Sequence, residues 1–206
     1  MKKRLKAFMI LFWIMGLMAC QKQEISDITC ESSQETHTLC KSPLAVVNEE
    51  VNQEGLDEYA GLPENPILQT VDFEQAKALI EAGTGVLALS FPSCQWCQEA
   101  LPILNQVAFN LGVDNVYYLN VRSLTRGEKE AEYEQIADLL QEHMATNETG
   151  ELVIYVPDVF FIKEGEVLAH HLGTIKDHNA KERQMTEQER EELVTTYTNL
   201  FKLIEP

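Results

Sequence analysis

Between position 67 and the carboxyl end, the spacing of apolar residues changes repeatedly, and each change marks an element. Positions 67–71 read as a short strand. Asp72 then precedes a helical pattern running through Ala82, with Gln75 placed three residues on as in a capping box. Gly83 and Gly85 end that helix. Positions 86–91 are almost continuously apolar, as expected of a strand covered on both faces. A helix is expected behind it to about Asn110, and positions 115–121 read as another strand. Across 128–145, Tyr133, Ile136, Ala137, Leu140 and Met144 form one stripe of an amphipathic helix, followed by a loop over 146–150. Positions 159–162 and 167–171 flank a polar turn containing Gly165, the pattern of a hairpin. Thr186 opens a last helix, with Glu189 in place for a second capping box. Strands alternating with helices and closing on a hairpin predict an α/β domain with a central mixed sheet flanked by helices. Residues 63–206 suffice for one such core.

The polar interruption after the second strand carries the chemistry. It reads Phe91-Pro92-Ser93-Cys94-Gln95-Trp96-Cys97, so two cysteines spaced Cys-x-x-Cys lie at a strand-to-helix junction. There, unpaired helical N–H groups and the positive end of the helix dipole favour a thiolate at Cys94. Such placement lowers a thiol pKa from about 8.5 to roughly 3.5–7.5, which makes the sulfur nucleophilic at neutral pH. Cys97, one turn on, is positioned to attack a mixed disulfide formed at Cys94. The pattern predicts dithiol–disulfide exchange with an exposed, ionised Cys94.

The amino terminus supplies the compartment. Lys2, Lys3, Arg4 and Lys6 precede an apolar run over 7–18, too short to span a bilayer and suited to a secretory signal. The run ends in Leu17-Met18-Ala19-Cys20, which resembles the bacterial lipoprotein signal box. The resemblance implies a signal peptide over 1–19, lipidation at Cys20, and a chain held on the extracytoplasmic face of the cell membrane. Two or more acyl chains hold firmly, each buried methylene contributing about 0.8 kcal/mol.

Residues 20–62 have no sustained period and few large apolar side chains, a composition that predicts a flexible acidic tether. Cys30 and Cys40 lie within it. Outside the cytoplasm they are expected to pair as a structural disulfide, to stay free, or to form a second redox pair exchanging electrons with Cys94 and Cys97. The formal net charge is −17, and removal of the four basic signal residues takes it to −21. A chain this acidic disfavours nucleic acid, whose phosphates reward Lys and Arg. It also stands off an anionic membrane surface, leaving the lipid as the attachment.

A further motif is Val156-Pro157 immediately before the hairpin, with Gly173 after it. Together with the Cys-x-x-Cys pair after the second strand and Pro102 five residues beyond Cys97, it resembles the thioredoxin-like superfamily over about 67–205. Within that superfamily the chain looks closest to bacterial thioredoxin-like lipoproteins, including the bacteriocin-transport accessory type. The resemblance implies a thioredoxin-like fold with a helical insertion before a cis Pro157. It implies that Cys94 and Cys97 form a redox disulfide, with Pro157 packed beside it. It also implies that the Val156 backbone pairs with an extended substrate, so Val156 and Pro157 are binding residues. The sequence departs from thioredoxin in Ser93 and Gln95-Trp96 around the cysteines. It departs again at Ala88, where the family buries an acidic group thought to accept the proton of the resolving cysteine.

These patterns predict a monomeric thiol–disulfide oxidoreductase acting on protein thiols or disulfides, with no cofactor. Trp96 either packs against the partner or fills helix surface, since the indole is amphipathic. Two other classes compete. A zinc site would draw on Cys94 and Cys97 with His170 or His171, but adjacent strand residues face opposite sides and closed zinc sites want four ligands. A redox-inactive lipoprotein would use the same fold as a binding or accessory module.

Overall fold

The chain divides into two units, Met1–Cys40 and Lys41–Pro206. The computed structural model describes residues 52–124 and 130–204, all within the second unit. Cys20, Cys30 and Cys40, together with the expected signal peptide, lie outside the described residues.

Five strands make a mixed sheet. β1 (Leu68–Thr70), β2 (Gly85–Ser90) and β3 (Val116–Asn120) run parallel, with β3 in the middle of the three. β6 (Asp158–Lys163) joins β2 antiparallel, and β7 (Glu166–Leu172) completes the hairpin at the edge. Because side chains alternate along a strand, β2 supplies both cores. Val86 and Ala88 face the cluster that includes Ala100, Leu101 and Leu104 of α2 (Gln95–Asn110) and Leu193, Tyr197 and Phe201 of α4 (Glu187–Ile204). Leu87 and Leu89 face the cluster that includes Leu79 and Ile80 of α1 (Phe73–Ala82) and Ile136 and Ala137 of α3 (Glu130–Leu139). Each fully buried Leu contributes roughly 1.5–3 kcal/mol relative to exposure, so this two-sided strand anchors the domain.

Local signals hold where hydrogen bonds close within a few residues. Asp72 caps α1, accepting from the Gln75 N–H at 2.9 Å, while Gln75 Oε1 accepts from the Asp72 N–H at 3.0 Å. Glu189 and Thr186 make the matching reciprocal pair at α4. The hairpin turn places Glu164 at φ 53° and Gly165 at φ 80°, the left-handed pair that matches strand twist. A Cβ at Gly165 would stand 2.4 Å from the Glu81 carbonyl oxygen, so the close approach of α1 also demands glycine there.

Two expectations are corrected. Residues 52–62 pack against the domain rather than belonging to a tether. Backbone hydrogen bonds Leu56 N to Gln53 O, Tyr59 N to Leu56 O and Leu62 N to Tyr59 O repeat every three residues and turn Leu56, Tyr59 and Leu62 to one side. Leu56 and Tyr59 are each 2 % exposed within the α2–α4 core. Gly61 crosses Pro102 of α2 so closely that a Cβ would meet the proline ring at 2.7 Å. The second correction concerns 128–145. The described helix ends at Leu139, and Gln141–His143 tighten into a 3₁₀ turn. Met144 is extended, leading into β4 (Ala145–Thr146), which pairs with β5 (Leu152–Val153). Pairing with β5 and packing of the His143 ring on Phe160 and His170 overrule the apolar stripe.

Candidate active site

β2 ends at Ser90, and the chain turns through Phe91, Pro92 and Ser93, with the Cys94 N–H bonded to the Phe91 carbonyl at 3.2 Å. Cys94 is the N-cap of α2 in extended geometry, φ −87° and ψ 120°. Its sulfur does what a capping oxygen does elsewhere and accepts the Cys97 N–H at 3.3 Å. Both cysteines are free thiols.

The two sulfurs are driven apart in acidity. Cys94 is lowered to about 7, chiefly because the Cys97 side chain hydrogen-bonds it, with the backbone N–H groups of Cys97 and Trp96 adding to the effect against burial. Cys97 is pushed far upward, first by burial and then by the neighbouring Cys94. One thiol is thus poised to ionise at neutral pH while its partner stays protonated beside it. The pair shares these protons as a unit.

The expected exposure of Cys94 is corrected: the residue is 8 % exposed. Its Sγ lies 3.6 Å from the Val156 carbonyl oxygen, which brings the segment before β6 across the helix start. The Val156–Pro157 bond is cis, and the Pro157 carbonyl accepts the Gly173 N–H at 2.7 Å. The Cys94–Cys97 turn and the Val156–Pro157 segment therefore converge from two separate stretches of chain.

Trp96 is placed differently from a free partner contact. It is half-buried, and its indole N–H donates to the His178 carbonyl at 3.3 Å. Lys181 lies over its ring, Nζ 5.7 Å from the centroid. Glu99 fastens the same loop: its carboxylate meets His178 Nε2 at 3.0 Å and accepts the Met185 N–H at 2.6 Å. The residues between β7 and α4 are thereby strapped along the first turns of α2.

No protein-family model matches this chain, and no curated protein matches it.

The two histidines considered for zinc point to opposite faces of the sheet. His170 stacks on Phe160, whereas His171 packs edge-on against Tyr197. Among the described residues no group of three His, Cys, Asp or Glu side chains is arranged to hold a metal. His170 Nδ1 instead lies 3.0 Å from Asp158, whose carboxyl is buried directly after Pro157. Burial lifts that carboxyl to about 6, although His170 opposes the shift.

Several members of the site have no signature in the sequence. Asp158 and Glu99 belong to no motif that the sequence offers. Ser90 reads as a polar break in an apolar strand. Tyr59 falls in the segment whose composition predicts a tether, and the three-residue spacing of Leu56, Tyr59 and Leu62 is the signal that points the other way. Arg122 lies over the Phe91 ring, 4.8 Å from its centroid, and donates to the Ser93 hydroxyl beside Cys94.

Proposed function

We propose that this protein is a thiol–disulfide oxidoreductase with a thioredoxin-like domain, held by a lipid on Cys20 at the extracytoplasmic face of a membrane. The observation that carries the reading is the Cys94 sulfur capping α2, its acidity raised, with the protonated Cys97 thiol one turn behind it. The parallel-then-antiparallel sheet, the cis Pro157 and Pro102 inside α2 support the fold assignment. Among the described residues, no helix is long and apolar enough to cross a membrane.

In the reducing direction, the Cys94 thiolate attacks one sulfur of a partner disulfide and expels the other as a thiolate. Cys97 then loses its proton and attacks the Cys94 sulfur of the mixed disulfide. The second partner sulfur leaves, and each departing thiolate takes up one proton from solvent. The partner gains two electrons, and Cys94 and Cys97 end as a disulfide. The same steps run backwards when a partner dithiol is the better reductant. Val156, whose carbonyl already reaches Cys94, lines the path by which an extended partner chain approaches.

Mixed-disulfide trapping tests the reading. The full chain carrying Cys97→Ser, expressed in its own cells, is expected to accumulate reducible adducts that vanish when Cys94→Ser is added. Absence of adducts, together with wild-type protein inert in insulin reduction and dithiol oxidation, overturns it. Cys20→Ser is expected to move the protein from the membrane to the soluble fraction. The small exposure of Cys94 favours a second reading, a docking module whose cysteines are not turned over. Full function of a Cys94→Ser chain is the result that would select it.

A further inference from the structure

Cys97 has the harder task in the proposed exchange. It is 0 % exposed, and in the resolving step its sulfur must carry negative charge among apolar side chains. Such a charge is costly unless a donor meets it. Apart from Cys94, the polar groups whose proximity favours ionisation of this sulfur against burial are the Ser90 hydroxyl and the Phe91 backbone N–H.

Ser90 is itself 0 % exposed. It closes β2 two residues beyond Ala88 and four beyond Val86, so alternation turns it toward α2 and Cys97. Its Oγ lies 2.8 Å from the Tyr59 hydroxyl, and Tyr59 also reaches the Tyr118 hydroxyl at 3.4 Å. The two tyrosine rings meet edge-to-face with centroids 5.8 Å apart, which fixes both hydroxyls in the core. A hydroxyl has one proton and two acceptor lone pairs, and its proton swings without movement of the heavy atoms. The Ser90 proton can therefore face Tyr59 while Cys97 is a thiol and face the sulfur once Cys97 ionises. In the second arrangement Tyr59 turns its proton from Tyr118 to Ser90 Oγ, so Ser90 keeps a partner and the Tyr118 hydroxyl donates to Tyr59 in exchange.

We propose that Ser90 is a catalytic hydrogen-bond donor to the Cys97 thiolate during resolution of the mixed disulfide, and that Tyr59 is the positioning residue that frees the Ser90 proton for this task. The inference rests on the exchange reading above. The Cys97 proton passes to solvent, Cys97 attacks the Cys94 sulfur, the Cys94–Cys97 bond forms, and the bond from Cys94 to the partner sulfur breaks. The departing partner sulfur takes a proton in return, so the resolving step consumes no other reductant.

Stopped-flow reaction of the reduced full chain, carrying Cys30→Ser and Cys40→Ser, with one equivalent of dithiodipyridine separates Cys94 from Cys97. Attack by Cys94 releases the first equivalent of pyridinethione, and attack by Cys97 on the resulting mixed disulfide releases the second. Ser90→Ala is expected to leave the first phase unchanged and to slow the second about threefold at neutral pH, the roughly tenfold loss of thiolate being partly offset by its higher nucleophilicity, with its pH midpoint about one unit higher. Tyr59→Phe keeps the ring and removes one oxygen, and it is expected to shift the second phase in the same direction by a smaller factor. It carries the test alone if Ser90→Ala fails to fold. Wild-type rate and midpoint for the second phase in the folded variants overturn the proposal. So does a slower second phase with an unmoved midpoint, which marks a packing role only. If wild-type protein releases no first equivalent, the exchange reading fails and this proposal with it.

Discussion

The Cys94 sulfur stands 3.6 Å from the carbonyl oxygen of Val156, a residue 62 positions further along the chain. That contact joins the capped start of α2 to the cis peptide before β6 and partly covers the sulfur. Reactivity at Cys94 is therefore set by two opposing effects, a low thiol pKa and restricted access.

The pKa of about 7 at Cys94 sets the pH at which the site becomes nucleophilic. Because the value is lowered, thiolate is lost as pH falls through 7 rather than through the free-thiol value of about 8.5. Iodoacetamide labelling mapped by mass spectrometry is expected to show a midpoint near pH 7 at Cys94 and none below pH 9 at Cys97. At pH 7 the larger thiolate fraction outweighs the lower intrinsic nucleophilicity by about threefold over a free cysteine, before access is counted. A Cys94 midpoint near 8.5 would contradict the capping role of the sulfur.

Residues 52–62 are part of the fold, and their removal is costly. Leu56→Ala is expected to lower unfolding free energy by about 2–4 kcal/mol, as for other large-to-small core changes. A truncated chain beginning at Pro63 loses Tyr59 as well, and with it the hydroxyl bonded to Ser90. Urea unfolding of both proteins checks this, and a truncated chain as stable as the full one is the contrary result.

Glu99 ties the segment after β7 to α2 through two hydrogen bonds. Glu99→Ala leaves the Met185 N–H and His178 without their acceptor, at an expected cost of about 1–3 kcal/mol. Limited proteolysis is expected to cut faster within 174–186 in the variant. Equal cutting rates would mean that Trp96 and local turns hold the segment without Glu99.

Asp158 predicts a pH dependence of opposite sign to that of an ordinary surface carboxylate. Its folded value of about 6 lies above the unfolded value of about 3.9. The stability it contributes is complete below pH 4 and is lost as pH rises through 6, because the native state binds the extra proton in that window. Asp158→Asn is therefore expected to match wild type near pH 4 and to exceed it at pH 7 by about 1–3 kcal/mol, on the order of two pKa units. A variant less stable at pH 7 would show that the His170–carboxylate pair outweighs desolvation.

What the sequence determined by itself is what closes within a few residues. The capping boxes at Asp72 and Thr186, the turn at Glu164 and Gly165, the doubly buried β2, and the placement of Cys94 at a helix start all follow from spacing and side-chain type. Each rests on hydrogen bonds or burial patterns that span no more than a turn or a strand. Tertiary structure decided which distant groups meet those elements. It brought Val156 to Cys94, Tyr59 to Ser90, and the loop carrying His178 onto Trp96, and it ended α3 at Leu139 in favour of a strand pair. Such contacts come from long loop closures whose reward is shared burial, and a shared core leaves no period or motif in either of the segments it joins.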